Sequence, residues 1–288
     1  MSEESELRYF VRRLMKNKLS LTGGILIVGY FLLAIIVTVT GDAIAPYDPY
    51  SQNFSERLLP PSPLHWFGTD DLGRDLFSRI LVGTPIDAQI ALMVVIVSAV
   101  IGAFLGAAAG TMGKFLDEAV MRVTDIFLSF PPLVLAMAVA VVLGPGIIQA
   151  TMALIVVWWP WYTRLSRSEA LVVKSYPYIE AARAAGLREI TIVFKHILPN
   201  ILSPILIYAT IDMGNVILTA ALLSFLGLGA QPPLPEWGRL VFEGQDYLFS
   251  AWWFPVMPGI ALFTIALAFS LLGDGLRDVL DPRLRYLR

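Results

Sequence analysis

Long uncharged apolar runs alternate with polar intervals along the whole chain. Leu19 to Thr40, Ala88 to Gly113, Ile126 to Tyr162 and Ala251 to Gly273 carry no charge, and Ile201 to Leu228 is interrupted chemically by Asp212 and Asn215. A helix rises about 1.5 Å per residue, so roughly 20 apolar residues cross a hydrocarbon core of about 30 Å. Ile126 to Tyr162 is too long for one crossing. Gly144-Pro145-Gly146 divides it into a helical hairpin with a tight outer turn. The first arm starts near Phe115 and the second ends near Arg164. Six transmembrane helices result. The expected fold is all-α and polytopic, because a span in lipid must satisfy its own backbone. The first run has a rival reading as a signal peptide cut after Ala43-Ile44-Ala45. The run is longer than the ~7–15 residues of such a segment, and Pro46 would follow the cut, so a first transmembrane helix is preferred.

The polar intervals give the orientation. The segment before Leu19, the Lys114–Arg122 turn, the central loop with its flanks, and the tail together hold seventeen of the 21 basic residues. Only Arg57, Arg74, Arg79 and Arg239 fall in the other intervals. Cytoplasmic loops collect Lys and Arg, so both termini and the central loop are expected inside. The expected layout is a cytoplasmic segment 1–18, a first helix 19–41, an outer segment 42–83, a five-helix core 84–276, and a cytoplasmic tail 277–288. Composition agrees: 15% of residues are charged against roughly 25% in soluble domains. A net charge of −2 gives no case for nucleic-acid binding. The chain has no Cys and only His65 and His196, far apart, so a metal site is not expected.

Several intervals hold candidate chemistry. In the central loop, Pro177 suits the first turn of a short helix. Gly186 sits where a left-handed residue would end it. A second helical stretch from Arg188 to Leu198 is expected to stop before Pro199, with Asn200 capping the next helix. Gly102, Gly106 and Gly110 recur every four residues on one helix face, a surface for close packing. Packing within the chain is preferred to dimerisation. Asp212 and Asn215, one turn apart in the fifth span, either line a translocation path or form a buried hydrogen-bonded pair between helices. Arg122 and Asp125 read as a structural i, i+3 pair, and Trp158-Trp159-Pro160-Trp161-Tyr162 as an interfacial anchor. The nearest string to a phosphate-binding loop, Gly110 to Phe115, lacks the required Gly and Ser/Thr, so any ATP-driven role needs a separate subunit.

The central loop, Tyr178 to Asn200, resembles a known family. Glu180-Ala181-Ala182, Gly186 and Ile197-Leu198-Pro199 look like the EAA loop of membrane subunits of binding-protein-dependent ABC importers. The outer string His65 to Asp75, with Gly68-Thr69-Asp70-Asp71 and Gly73-Arg74-Asp75, is similar to a signature of the second membrane subunit of dipeptide, oligopeptide and nickel-type importers. Leu223 to Gly229, Pro235-Glu236-Trp237-Gly238, Gly273 to Asp278 and Leu280-Asp281-Pro282 match the same branch, so the resemblance runs from about residue 10 to 285.

The resemblance implies a type I importer permease fold in the cytoplasmic (inner) membrane, with no catalytic residue and no cofactor of its own. The implied partners are a homologous second permease, two ATPase subunits carrying ATP and Mg, and an extracytoplasmic binding protein. Glu180, Ala181, Ala182, Arg183, Gly186, Leu198 and Pro199, in a loop at about 168–200, would contact the ATPase. The loop's rival reading is an interfacial helix pair lying on lipid. Asp70, Asp71, Arg74 and Asp75 are read as rigidifying the outer surface, with contact to a binding protein as the alternative. Asp274, Arg277, Asp278 and Asp281 are expected to cap the sixth helix. Di- or oligopeptides are the expected cargo, with nickel chelates or oligosaccharides as alternatives. An ion-driven secondary transporter using Asp212 is a further class, and so is a membrane scaffold.

Overall fold

The computed structural model describes residues 17–280. The expectations for residues 1–16 and for the tail, including Arg277, Asp278 and Asp281, lie outside the described residues or their described side chains. The chain is helical, and its extended pairing among the described residues is a single isolated bridge, Thr69 with Asp75.

Ten α-helices follow in order among the described residues. Helix α1 spans Lys18–Thr40, α2 Leu76–Thr111, α3 Lys114–Leu128 and α4 Pro132–Leu143. Helix α5 spans Ile147–Lys174, α6 Pro177–Ala184 and α7 Glu189–Ile192. Helix α8 spans Leu198–Phe225, α9 Trp237–Gly244 and α10 Trp253–Leu280. Among the described residues, four helical stretches are long and apolar enough to cross a membrane: Lys18–Ile44, Leu76–Thr111, Glu189–Phe225 and Trp253–Leu276. Helices α3 and α4 make a fifth candidate only as a pair, because they bend by 89° at Ser129–Pro131. The straight first arm expected from Phe115 is therefore two pieces. Helix α4 has 12 residues, about 18 Å of rise, which is too short to cross alone. Helix α5 has 28 residues; its uncharged part ends at Thr163, and Arg164, Arg167, Glu169 and Lys174 follow.

A second difference concerns the helix that follows the central loop. No break occurs at Pro199. A π-helical turn, Val193–Ile197, joins α7 to α8, and the run Glu189–Phe225 is 37 residues long. The Leu198 amide bonds the Val193 carbonyl five residues back. That re-phases the ladder just before Pro199, which has no amide hydrogen to give. Asn200 does not cap the helix. Its side-chain amide donates to the His196 carbonyl at 2.6 Å. Both α2, with 36 residues, and this run rise more than 50 Å (~1.5 Å per residue). They therefore exceed the roughly 30 Å hydrocarbon core and project beyond it.

Two compact units are distinguished. One comprises residues 17–92, 143–150 and 210–280; the other comprises 93–142 and 151–209. In the first, α1 packs along α10. Its buried positions Ser20, Gly23, Ile27, Tyr30, Ala34 and Val37 recur at intervals of three and four, one stripe of a helix. Other apolar side chains of α1, such as Ile25, Val28 and Ile35, stay exposed, which suits lipid and not water. Leu76, Ala251, Trp253 and Phe254 form a small core beneath the outer segment.

In the second unit, α2 meets α5 through the small-residue stripe. A β-carbon on Gly102 would meet Tyr162 at 2.3 Å, one on Gly106 the Thr163 carbonyl at 2.3 Å, and one on Gly110 Ala170 at 3.0 Å. Helix α3 is held to α5 by two ion pairs. Arg164 bonds Asp125 at 2.6 Å, and Arg167 grips Asp117 with two nitrogens. Asp125 thus pairs across helices and not with Arg122. The aromatic cluster is not a simple surface anchor either. Trp158 and Tyr162 are buried, Trp159 packs edge-on against Phe127, and Trp161 is the exposed member.

Candidate functional site

The central loop is a short helical hairpin built from local rules. Pro177 opens α6 at its first position, where a missing amide hydrogen removes no bond. The helix ends in two reversed hydrogen bonds: Leu187 N–H to the Ala182 carbonyl at 3.2 Å and Gly186 N–H to the Arg183 carbonyl at 2.9 Å. This is a Schellman closure, and it requires a left-handed residue. Gly186 supplies it, with φ +82°. Space around Gly186 is open, so backbone conformation and not crowding demands glycine there.

Arg183 then reaches over the turn to Glu189, with Nε to Oε1 at 2.7 Å and Nη2 to Oε2 at 3.1 Å. The bond to Glu189 raises the Arg183 guanidinium above its ordinary value. On the inner face Ile179, Ile192, Val193 and Ile197 are buried, and Phe194 of the following turn packs against Phe104 of α2 with ring centroids 5.3 Å apart. On the outer face Glu180, Ala181, Ala184 and Ala185 are exposed. Ala182 and Leu198 are half-buried, and Pro199 is exposed. The arrangement presents one carboxylate on a slim, stiff, small-residue surface. Among the described residues no group of three His, Cys, Asp or Glu is placed to hold a metal ion.

The fifth-span pair divides. Asp212 is buried, whereas Asn215 is exposed. They do not share a buried environment, so the reading as a buried pair is replaced by one inward carboxyl and one outward amide.

The outer motif is a buried charge network in the first unit. Asp70 accepts from Arg74 Nε at 2.6 Å and from Arg79 Nη1 at 2.5 Å. Its other oxygen accepts from the Leu72 and Arg74 amides, both at 2.9 Å. Glu243 on α9 accepts from Arg79 at 3.2 Å, Arg239 at 3.1 Å and Arg74 at 3.4 Å. Asp75 caps the start of α2 through the Ser78 amide at 2.8 Å and bonds His65 at 2.9 Å. Asp71 is half-buried. Burial first, and then the charge of Asp70, raises its carboxyl above the usual range. Three of the four expected outer residues are therefore bonded inward, and Arg79, Glu243 and His65 join them. Glu243 follows α9's Trp237 by a fixed helical interval, but nothing local marks it as the partner of residues 164 and 169 positions earlier.

Comparison with known proteins matches these features to a family. Residues 98–286 match the family described as the binding-protein-dependent transport system inner membrane component. Residues 5–61 match the N-terminal TM domain of oligopeptide transport permease C. The chain is 43% identical over 267 residues to the probable D,D-dipeptide transport system permease protein DdpC of Escherichia coli K12, covering 93% of this chain and 88% of that protein. It is 41% identical over 282 residues to the dipeptide transport system permease protein DppC of Alkalihalophilus pseudofirmus, covering 98% and 91%. Among solved structures, the MetNI methionine ABC transporter in an inward-facing conformation shares the fold. That match has 22% identity, a TM-score of 0.55, and covers 70% of this chain and 96% of that one.

Proposed function

The chain belongs to the binding-protein-dependent transport system inner membrane component family, and from that premise we propose that it couples a peptide path across the membrane to ATP hydrolysis in partner subunits through the central loop. It is a multi-pass permease subunit and not a catalytic enzyme. Its relatives DdpC and DppC are named for dipeptide transport, which supports di- or oligopeptides as cargo.

In this reading α6 and α7 dock into a groove on a cytoplasmic ATPase. The observation that carries it is the stiff, exposed hairpin. Glu180 stands on the outer face, and Ile179 and Ile192 are buried on the inner face. A rigid lever transmits displacement, whereas a flexible loop would absorb it. When two ATPase subunits close on ATP and Mg, each pulls its docked hairpin, and the permease pair changes from inward- to outward-facing. The differential contacts of hairpin and ATPase in the two states supply the bias. The outward amide Asn215 and the inward Asp212 lie on the helix that continues directly from the hairpin, so that helix carries the movement to the path. In this reading α5, Ile147–Lys174, is the fourth of six spans, with its basic end and both chain termini in the cytoplasm. An extracytoplasmic binding protein delivers the cargo.

The test is uptake by the assembled transporter with Glu180→Lys or Gly186→Val. Both variants are expected to reach the membrane at wild-type level and lose ATP-dependent uptake by tenfold or more. Wild-type uptake in both would remove the hairpin from the coupling role.

A further inference from the structure

The string Pro235-Glu236-Trp237-Gly238 has no part in the coupling reading, yet it is among the most tightly held outer segments of the first unit. Gly83 on α2 lies against it: a β-carbon there would meet the Pro235 carbonyl at 2.1 Å. Gly238 lies against α8, where a β-carbon would meet the Ala221 carbonyl at 2.4 Å. The Trp237 indole donates to the Ile80 carbonyl at 2.8 Å. Helix α9 is thus pinned by its first turn between the outer ends of two long helices.

Two carboxyls are buried in this joint. Glu236 caps α9, accepting from the Gly238 amide at 3.0 Å and the Arg239 amide at 2.7 Å. The Ser224 hydroxyl, at the end of α8, also bonds it. Asp87, one turn beyond Gly83 on α2, accepts from the Trp237 amide at 3.3 Å and meets the Glu236 carboxyl directly. Glu236 is fully buried and Asp87 is 2% exposed. Asp87 Oδ1 is buried and has no hydrogen-bond partner among the described residues.

Among the described residues, the groups facing the pair leave it without a cation. From α9, Arg239 is bonded to Glu243. From α2, Arg79 is bonded to Asp70 and Glu243. From α1, Tyr30 packs edge-on against Trp237 at 5.8 Å and lies within electrostatic range of Asp87. From α8, the Ser224 oxygen accepts from the Ala230 amide at 3.1 Å, and its hydrogen remains for Glu236. Two anionic carboxylates in contact, buried and without a counter-charge, repel strongly. Two acceptors also cannot bond each other without a hydrogen between them.

We propose that Asp87 and Glu236 form a proton-binding site, in which Asp87 is the acid and donates its O–H to the Glu236 carboxylate, locking α9 to α2. Glu236 is the better anion because its oxygens already accept two amide hydrogens and a hydroxyl. Asp87 accepts a single amide hydrogen, at Oδ2. The proton comes from water as the joint closes and returns to water when it opens. The folded chain therefore holds one proton more than the unfolded chain above the ordinary carboxyl range. Stability then falls as pH rises through that interval.

Asp87→Asn is a direct test, because the amide reproduces the donor without a titrating proton. The full chain is purified with its partners, and its infrared spectrum is recorded in lipid discs. A protonated-carboxyl stretch is expected at neutral pH. It should shift on labelling with carbon-13 aspartate and disappear in Asp87→Asn. The melting temperature of the wild type is expected to fall from neutral to alkaline pH by more than that of Asp87→Asn, which keeps the neutral-pH value. A spectrum without a protonated aspartate overturns the proposal, whether or not the variant folds. An equal alkaline fall in both proteins overturns it as well.

Discussion

At the residue scale, burial sorts the charged groups into different tasks. Glu180 is exposed on the outer face of the hairpin, whereas Asp70 is buried between Arg74 and Arg79. Asp70→Ala would leave both arginines short of their principal partner. Breaking a buried pair from one side costs roughly 3–5 kcal/mol. The expected result is a marked fall in the melting temperature of the purified chain and reduced abundance in the membrane. A melting curve that overlays the wild type would show that Glu243 alone satisfies the arginines. The Gly-Arg-Asp string announced part of this network. Arg79 and Glu243 did not announce theirs, because their contact depends on how the chain returns to α2 after 164 residues.

At the scale of elements, local signals worked where the hydrogen bonds are local. Pro177 and Gly186 bounded α6 because a first-turn proline and a left-handed closing glycine act within one turn. Pro199 failed as a stop signal, since the π turn upstream absorbs its missing hydrogen bond. The Arg183–Glu189 pair stiffens the hairpin, but both side chains are about a third exposed. Its worth to stability is accordingly only about 0.2–1 kcal/mol. The stripe Gly102, Gly106 and Gly110 was legible as a packing surface. Its partner, the Tyr162–Leu171 face of α5, was not. Gly106→Leu would drive a side chain into the Thr163 carbonyl and the Arg167 amide, at 2.3 and 2.7 Å from a β-carbon. Overpacking of this kind costs roughly 1–3 kcal/mol. Lower thermal stability and easier proteolysis of the second unit are expected, with Gly106→Ala milder. Unchanged proteolysis in Gly106→Leu would show that α2 and α5 separate without consequence.

For the whole molecule, the placement of Lys and Arg argues that the central loop and the outer segment lie on opposite sides of the membrane. The absence of cysteine makes that testable. Single cysteines at the exposed positions Ser51 and Ala184 are expected to react with an impermeant thiol reagent from outside and inside respectively. Reversed labelling would invert the topology and remove the loop from any cytoplasmic ATPase. Co-purification of a second permease and an ATPase with the tagged chain would accompany the expected labelling.

The sequence by itself determined what depends on composition and short-range bonding. It marked a helical membrane chain, the apolar runs, the hairpin with its turn, and the family to which the motifs belong. Hydrophobicity acts residue by residue, and helix signals act over three or four positions, so both can be read in order along the chain. The tertiary structure decided the rest. It broke the arm before Gly144 into α3 and α4, carried α7 through Pro199 into α8, turned Asn215 outward while burying Asp212, and paired Asp125 with Arg164. It also brought Asp87 against Glu236, two carboxyls that no sequence interval relates. Each of these turns on which surfaces meet once the helices pack. That is fixed by close approach and by the need to satisfy buried polar groups, and neither is written in the order of residues.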